Sequence, residues 1–280
     1  MQVQELVGIV PWNFIATICN LFIQVYLIKR FLFKPINEML EKRKAKADAQ
    51  IQDAVKAKEE AQAMKTEYEI IKDNNIDIEL VKYVENEIFP LYNRNEEGHG
   101  IEHIKTVIKR SLELAKKYDV NLDMVYTIAS YHDLGHYINR KTHEIISAEI
   151  FMKDENIKKW FTKEQLNVIK DAIEDHRASS DHEPRTIYGK IISTADRTII
   201  DIDNTIKRSY SYGKRNYVGL SEEEQIERIY QHLTEKYGEN GYAKIYLEDK
   251  EFDKAIKELR QALSHKEEFI KRVKRVVGKI

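Results

Sequence analysis

Residues 6–28 run for 23 positions without a charged side chain, and no other feature of the chain restricts its fold as much. A helix over them is about 35 Å long at 1.5 Å per residue, enough to cross a hydrocarbon core of roughly 30 Å. Only Glu5 stands just before the run, whereas Lys29, Arg30 and Lys34 follow it. That order reads as a transmembrane helix rather than a cleaved leader, in single-pass topology in the cell membrane with the C-terminal side in the cytoplasm. Inside the span, Asn13, Thr17, Asn20 and Gln24 fall on one helix face. Lipid does not reward such a stripe, so it is expected to meet another membrane helix, either of a partner or of a second copy.

Residues 36–69 then pass through Lys, Glu, Ala and Gln without Gly or Pro, a composition that favours a long solvated helix with little core of its own. Ile36 to Ala47 and Leu40 to Ile51 are both eleven apart, the spacing of a right-handed stalk rather than a heptad coiled coil. Ten Gly and four Pro in 280 residues argue against a turn-rich β protein and for an all-α one. A net charge of −1 offers nothing to nucleic acid, which is not expected as a partner. The single Cys19 excludes an internal disulfide.

Beyond residue 70 the pattern changes to compact amphipathic helices, with a domain boundary expected there and a clear loop at residues 93–100. Val125, Ile128, Ala129 and His132 share a helix face, which aims His132 inward and sets Asp133 beside it at the rim. A buried carboxylate is expensive unless a cation answers it. Alone, this dipeptide also fits a capped helix end with a core histidine. Other inward groups change the balance. His103 lies in the first turn of a helix whose apolar stripe is Ile101, Ile104, Ile108, Leu112 and Ala115; His176 follows Leu166, Ile169 and Ile173 on one face; Asp196 shares a face with Ile192, Ala195 and Ile199; and His143 opens a further helix. Together His103, His132, Asp133, His143, His176 and Asp196 supply imidazoles and carboxylates suited to one or two divalent ions among manganese, iron, cobalt and zinc, with magnesium also tolerated. Arg140, Lys141, Arg177 and Arg185 stand near these positions and suit phosphate oxygens, with ordinary surface charge as the alternative. Through such ligands a metal would activate bound water for attack, and His99 or His136 would pass a proton.

Two resemblances accompany these readings. Pro11-Trp12-Asn13-Phe14, Phe31-Leu32-Phe33-Lys34-Pro35-Ile36 and Met39-Leu40-Glu41-Lys42-Arg43 resemble the start of subunit b of the F-type ATP synthase, over about residues 4–69. That resemblance implies a membrane anchor and stalk working as a homodimer; the remainder of the family's stalk and its head-gripping end have no counterpart after Glu69. From about residue 78 to 265, the order of His103, His132-Asp133 and Asp196 resembles the HD-domain phosphohydrolase superfamily. That likeness implies a helical bundle and a metal on those four residues, with His143 and His176 in the positions that two-metal members use. Asp175 to Ser180 and Glu183 to Lys190 resemble an uncharacterised clostridial-type branch, and the Gly-Tyr-Pro motif of cyclic-di-GMP phosphodiesterases is missing.

The expectation is therefore an all-α chain with a membrane anchor and stalk over 1–70 and an HD phosphohydrolase domain over 71–280, completed by its C-terminal helices and acting on a phosphate-containing small molecule. Two readings compete with it: a non-catalytic stalk subunit carrying a passenger domain, and an artificial join of two unrelated coding segments.

Overall fold

The computed structural model describes residues 11–95, 98–197 and 201–278. It is 77% helical, with no strand among the described residues, so the all-α expectation holds. The chain divides into two compact units, Met1–Glu69 and Ile70–Ile280.

The first unit is built from α1 (Pro11–Ile28) and the long helix α2 (Lys34–Asp73), joined by one wide turn at Lys29–Phe33. Pro35 explains that turn. It has no N–H to give the carbonyl four residues back and its ring would collide with that carbonyl, so the helix widens until Lys34 N–H reaches Lys29 O. Among the described residues, one helix is long and apolar enough to cross a membrane. Its side chains are exposed, Phe14 at 62% and Phe22 at 70%, in an element with no core to join. Gln24 donates to Asn20 at 3.4 Å along the polar stripe. Residues 6–10 of the uncharged run and Ile199 lie outside the described residues.

The second unit holds two cores. The larger one packs α4 (Ile101–Ala115), α5 (Leu122–Tyr131), α7 (Lys163–Glu174) and α8 (Ile187–Arg197) together, with the short α3 (Ile78–Tyr83) and α6 (His143–Lys153) against its sides. Ile104, Leu112, Ile128, Ile169 and Ile192 are buried within it. The helix ends are chemically specified: Asn121 caps α5 by accepting from Met124 N–H, and Thr162 with Gln165 forms a reciprocal capping box at α7. The loop expected at 93–100 begins two residues later, because Phe89–Arg94 close a tight helical turn. The C-terminal helices do not simply complete this bundle. α9 (Ile202–Asn216), α10 (Glu222–Tyr237), α11 (Lys250–Ser264) and α12 (Lys266–Val277) gather a second core around Ile206, Ile229, Leu259 and Val273.

Candidate metal centre

Five backbone elements deliver side chains to one point. α5 ends at His132, and Asp133 follows with φ −109° and ψ 11°, a bridge conformation that breaks the helix and leaves its carboxylate among the imidazoles. Asn95 latches the preceding loop to this corner, donating to Asp133 O at 3.0 Å and to His99 O at 2.9 Å. Gly135 lets α6 come close: a Cβ there would lie 2.6 Å from His143 O and 2.7 Å from Ile146 Cβ. Its N–H donates to Ser147 Oγ at 2.8 Å, fixing the approach that brings His143 to the cluster.

The two oxygens of Asp133 face different histidines. Oδ2 is 3.7 Å from His103 Nε2, 3.7 Å from His132 Nε2 and 2.8 Å from His99 Nδ1. Oδ1 is 3.3 Å from His143 Nε2 and 3.4 Å from His176 Nε2. Asp196 adds its Oδ1 at 3.2 Å from His103 Nε2. All six residues read from the sequence as metal ligands therefore meet, and His99 joins them. His136 stacks on the His99 ring, with centroids 4.0 Å apart. The cluster opens where His99 and Asp196 each keep 25% of their side-chain surface exposed.

Backbone carbonyls set the tautomers. His132 Nδ1 donates to Ala129 O at 2.8 Å, His143 Nδ1 to Arg140 O at 2.9 Å, and His176 Nδ1 to Ile173 O at 2.6 Å. In each neutral ring that leaves Nε2 as a lone pair aimed at the cluster. His143 Nε2 and His176 Nε2 are then 3.1 Å apart, two lone pairs in conflict unless a proton or a metal lies between them. The buried Nε2 atoms of His103 and His132 have no hydrogen-bond partner. Orphaned lone pairs converging on two carboxylates fit a divalent cation, and imidazole with carboxylate is a donor set for first-row transition metals.

The electrostatics follow from burial. Loss of solvent lowers His132 to about 4 against the pull of Asp133, and lowers His136 to about 3. Burial works to raise Asp133, but the charge of His132 and hydrogen bonds from His176 and His99 outweigh it and hold the carboxyl well below its ordinary range. Asp196 behaves likewise, burial being overcome by His103 and His132. His176 goes the other way, since its contact with Asp133 overrides burial and raises it.

The four cations read from the sequence divide into two pairs. Arg140 and Lys141 are exposed at the α6 entrance. Arg177 is held by Glu144 at 3.0 Å and by the Lys141 carbonyl, and Arg185 is gripped by Asp171, Glu174 and Asp175 at 3.0, 2.8 and 2.8 Å. These two clamp loops together, and their charge is already answered. Sequence reasoning missed Arg208 and Lys236, contributed by α9 and α10. Arg208 Nη2 lies 3.4 Å from His99 Nε2. Nothing in the spacing of α9 or α10 marks those positions, because their relation to the cluster is made by tertiary packing.

These features define a helical domain with a buried histidine-carboxylate cluster that could hold a metal ion. Residues 100–201, which contain His103, His132, Asp133, His143, His176 and Asp196, match the family model described as HD domain, a family that generally consists of metal-dependent phosphohydrolases. The N-terminal segment is similar to ATP synthase subunit b: 46% identical over 56 residues to that of Natranaerobius thermophilus, 44% over 57 residues to that of Caldanaerobacter subterraneus subsp. tengcongensis, and 42% over 67 residues to that of Alkaliphilus metalliredigens. These matches cover 20%, 20% and 24% of this chain, and 35%, 34% and 40% of the respective relatives. The chain thus spans little more than a third of the curated relatives it matches. No solved structure matches.

Proposed function

We propose that this chain is a metal-dependent phosphohydrolase tethered to the membrane by its subunit b-like helix. The observation that carries this reading is the division of Asp133, whose Oδ2 faces His103 and His132 while Oδ1 faces His143 and His176. His103, His132, Asp133 and Asp196 would hold one divalent ion, and His143, His176 and Asp133 a second. A divalent ion held there lowers the pKa of water and offsets negative charge on the phosphoryl oxygens. His99 is oriented by its Nδ1–H on Asp133, and its imidazolium form carries a second proton on Nε2, at the open side, which is the proton assigned to the leaving oxygen. His136, kept neutral by burial, stacks against His99 and fixes its plane. Arg140 and Lys141 are the cations assigned to substrate phosphate. Arg177 and Arg185 serve the loops. The cations after α1 favour the cytoplasmic side for this domain, and the polar stripe of α1 suits a second membrane helix.

The similarity to subunit b favours one rival reading, a stalk component with a non-catalytic passenger. Purified full chain in detergent separates the two. It is expected to hold one to two transition-metal ions by elemental analysis and to hydrolyse p-nitrophenyl phosphate or its diester. Asp133→Ala is expected to lose metal and at least about 100-fold in turnover while keeping its helical circular dichroism. A wild-type chain inert across mono-, di- and cyclic esters would favour the stalk reading.

A further inference from the structure

We propose that Arg208, Lys236 and Arg140 form a second anion subsite beside the metal cluster, so that the substrate carries at least two negatively charged groups, one on the metals and one on these cations. This rests on the phosphohydrolase reading and names its substrate class: a phosphoric anhydride or bis-anionic ester rather than the monoester of a neutral alcohol.

Three elements bring the cations together. On α9, Arg208 and Tyr212 are one turn apart on the same face, and the Arg140 guanidinium lies 3.9 Å from the Tyr212 ring centroid. On α10, His232 and Lys236 are likewise one turn apart, and the charges of Lys236 and Arg140 both act on His232 and on Tyr242. Arg208 is tied to the cluster through His99 at 3.4 Å, Arg140 acts through space on His136, and Lys236 feels the charge of Asp196. The cations therefore border the cluster at three points. Gly98 sits at φ +95°, a backbone conformation that favours glycine, and its bare Cα leaves room for the Arg208 side chain, whose Nε lies 2.8 Å from where a Cβ would be.

What gives the arrangement a function is the lack of counter-charge. Among the described residues, no carboxylate lies within ion-pair distance of Arg140, Arg208 or Lys236, whereas Arg177 and Arg185 each have theirs. Asp196, the carboxylate that reaches Lys236 through space, is committed to His103. Three neighbouring cations without a counter-ion among the described residues repel one another, and an anion relieves that repulsion with charge-assisted hydrogen bonds. The Tyr212 ring beneath Arg140 adds an aromatic face beside the cations, consistent with an anionic group borne on an organic frame.

The test uses the full chain in detergent with manganese, and two non-hydrolysable probes, methylphosphonate and methylenebisphosphonate, with affinities read by calorimetry. The bisphosphonate is expected to bind at least about 10-fold more tightly, the worth of one good hydrogen bond to a charged group. Arg208→Gln and Lys236→Gln are each expected to reduce that preference to about twofold or less with manganese content unchanged. Equal affinities in the wild type would overturn the proposal. So would a preference that survives both substitutions, since chelation by the metals would then account for it. A chain that holds no manganese and binds neither probe would overturn the phosphohydrolase reading itself, whereas one that binds metal and hydrolyses a monoester without preference loses only this subsite.

Discussion

Asp133, at 3% exposure, survives as a buried carboxylate because imidazoles surround it, and the same burial keeps His132 and His136 neutral. This has a consequence for metal-stripped protein. Below pH 6.5 the unfolded chain protonates both histidines while the folded chain does not until about 4 and about 3, so stability falls as pH falls through that window. Each group contributes at most about 1.4 kcal/mol per pH unit. His176 has the opposite sign: its folded value is raised, so its contribution is complete below 6.5 and is lost only as pH rises through that raised value. Urea midpoints between pH 7 and 4 after chelation are therefore expected to drop steadily, and a flat profile would mean these rings are solvated. Metal is expected to suppress the drop, since it binds only the folded cluster. At this scale much of the site was legible. Six inward His and Asp positions recur at helical spacing, and an apolar stripe that includes a charge is a strong signal. Arg208 and Lys236 were not legible, because on a solvated helix a cation near a ligand looks the same as any other.

Gly135 shows how one backbone position governs an element. With hydrogen at its Cα, α6 can rest its first turn on the Leu134–Tyr137 turn; with a methyl, His143 O and Ile146 must move away. Gly135→Ala is expected to displace His143 from Asp133 and His176, weakening the second metal position while His103, His132 and Asp196 stay in place. Metal stoichiometry should fall by about one ion and stability by about 1–3 kcal/mol, the usual cost of overpacking. Unchanged stoichiometry would show that α6 carries no ligand. A second element-scale device is Arg197, buried at 3% exposure, which donates to His176 O at 3.0 Å and to Lys244 O at 2.6 Å. It ties the end of α8 to the second residue after α7, holding His176 and Asp196 in register. Arg197→Met keeps the volume but leaves both carbonyls unpaired, and is expected to cost about 2–4 kcal/mol in thermal or urea unfolding along with weaker metal binding. The helices themselves were legible from periodicity and caps. The independent core of α9 to α12 was not, because an amphipathic stripe specifies that a face is buried without naming its partner.

Over the whole chain, the division at Glu69 and Ile70 falls within α2, whose last turns change role: Ile70 and Ile71 pack into the larger core, while Ile51 and Val55 remain exposed. A fragment that keeps those two isoleucines should therefore fold without the anchor, whereas one starting at residue 72 gives up apolar contacts worth about 2 kcal/mol or more. The anchor sets location. A Lys at the centre of a membrane helix costs about 2.5–3.5 kcal/mol on insertion, so Phe22→Lys together with Ile18→Lys should shift the chain from the membrane fraction to the supernatant with its metal content intact. The same experiment addresses the origin of the chain. If both segments are read as one gene product, antibodies against the stalk helix and against the C-terminal helices should detect the same single band in washed membranes, lost only when the charges are introduced. A shorter soluble band carrying the HD segment alone would mean that the subunit b-like start and the metal centre are made separately, and the tether would then be withdrawn while the chemistry assigned to Asp133 stands.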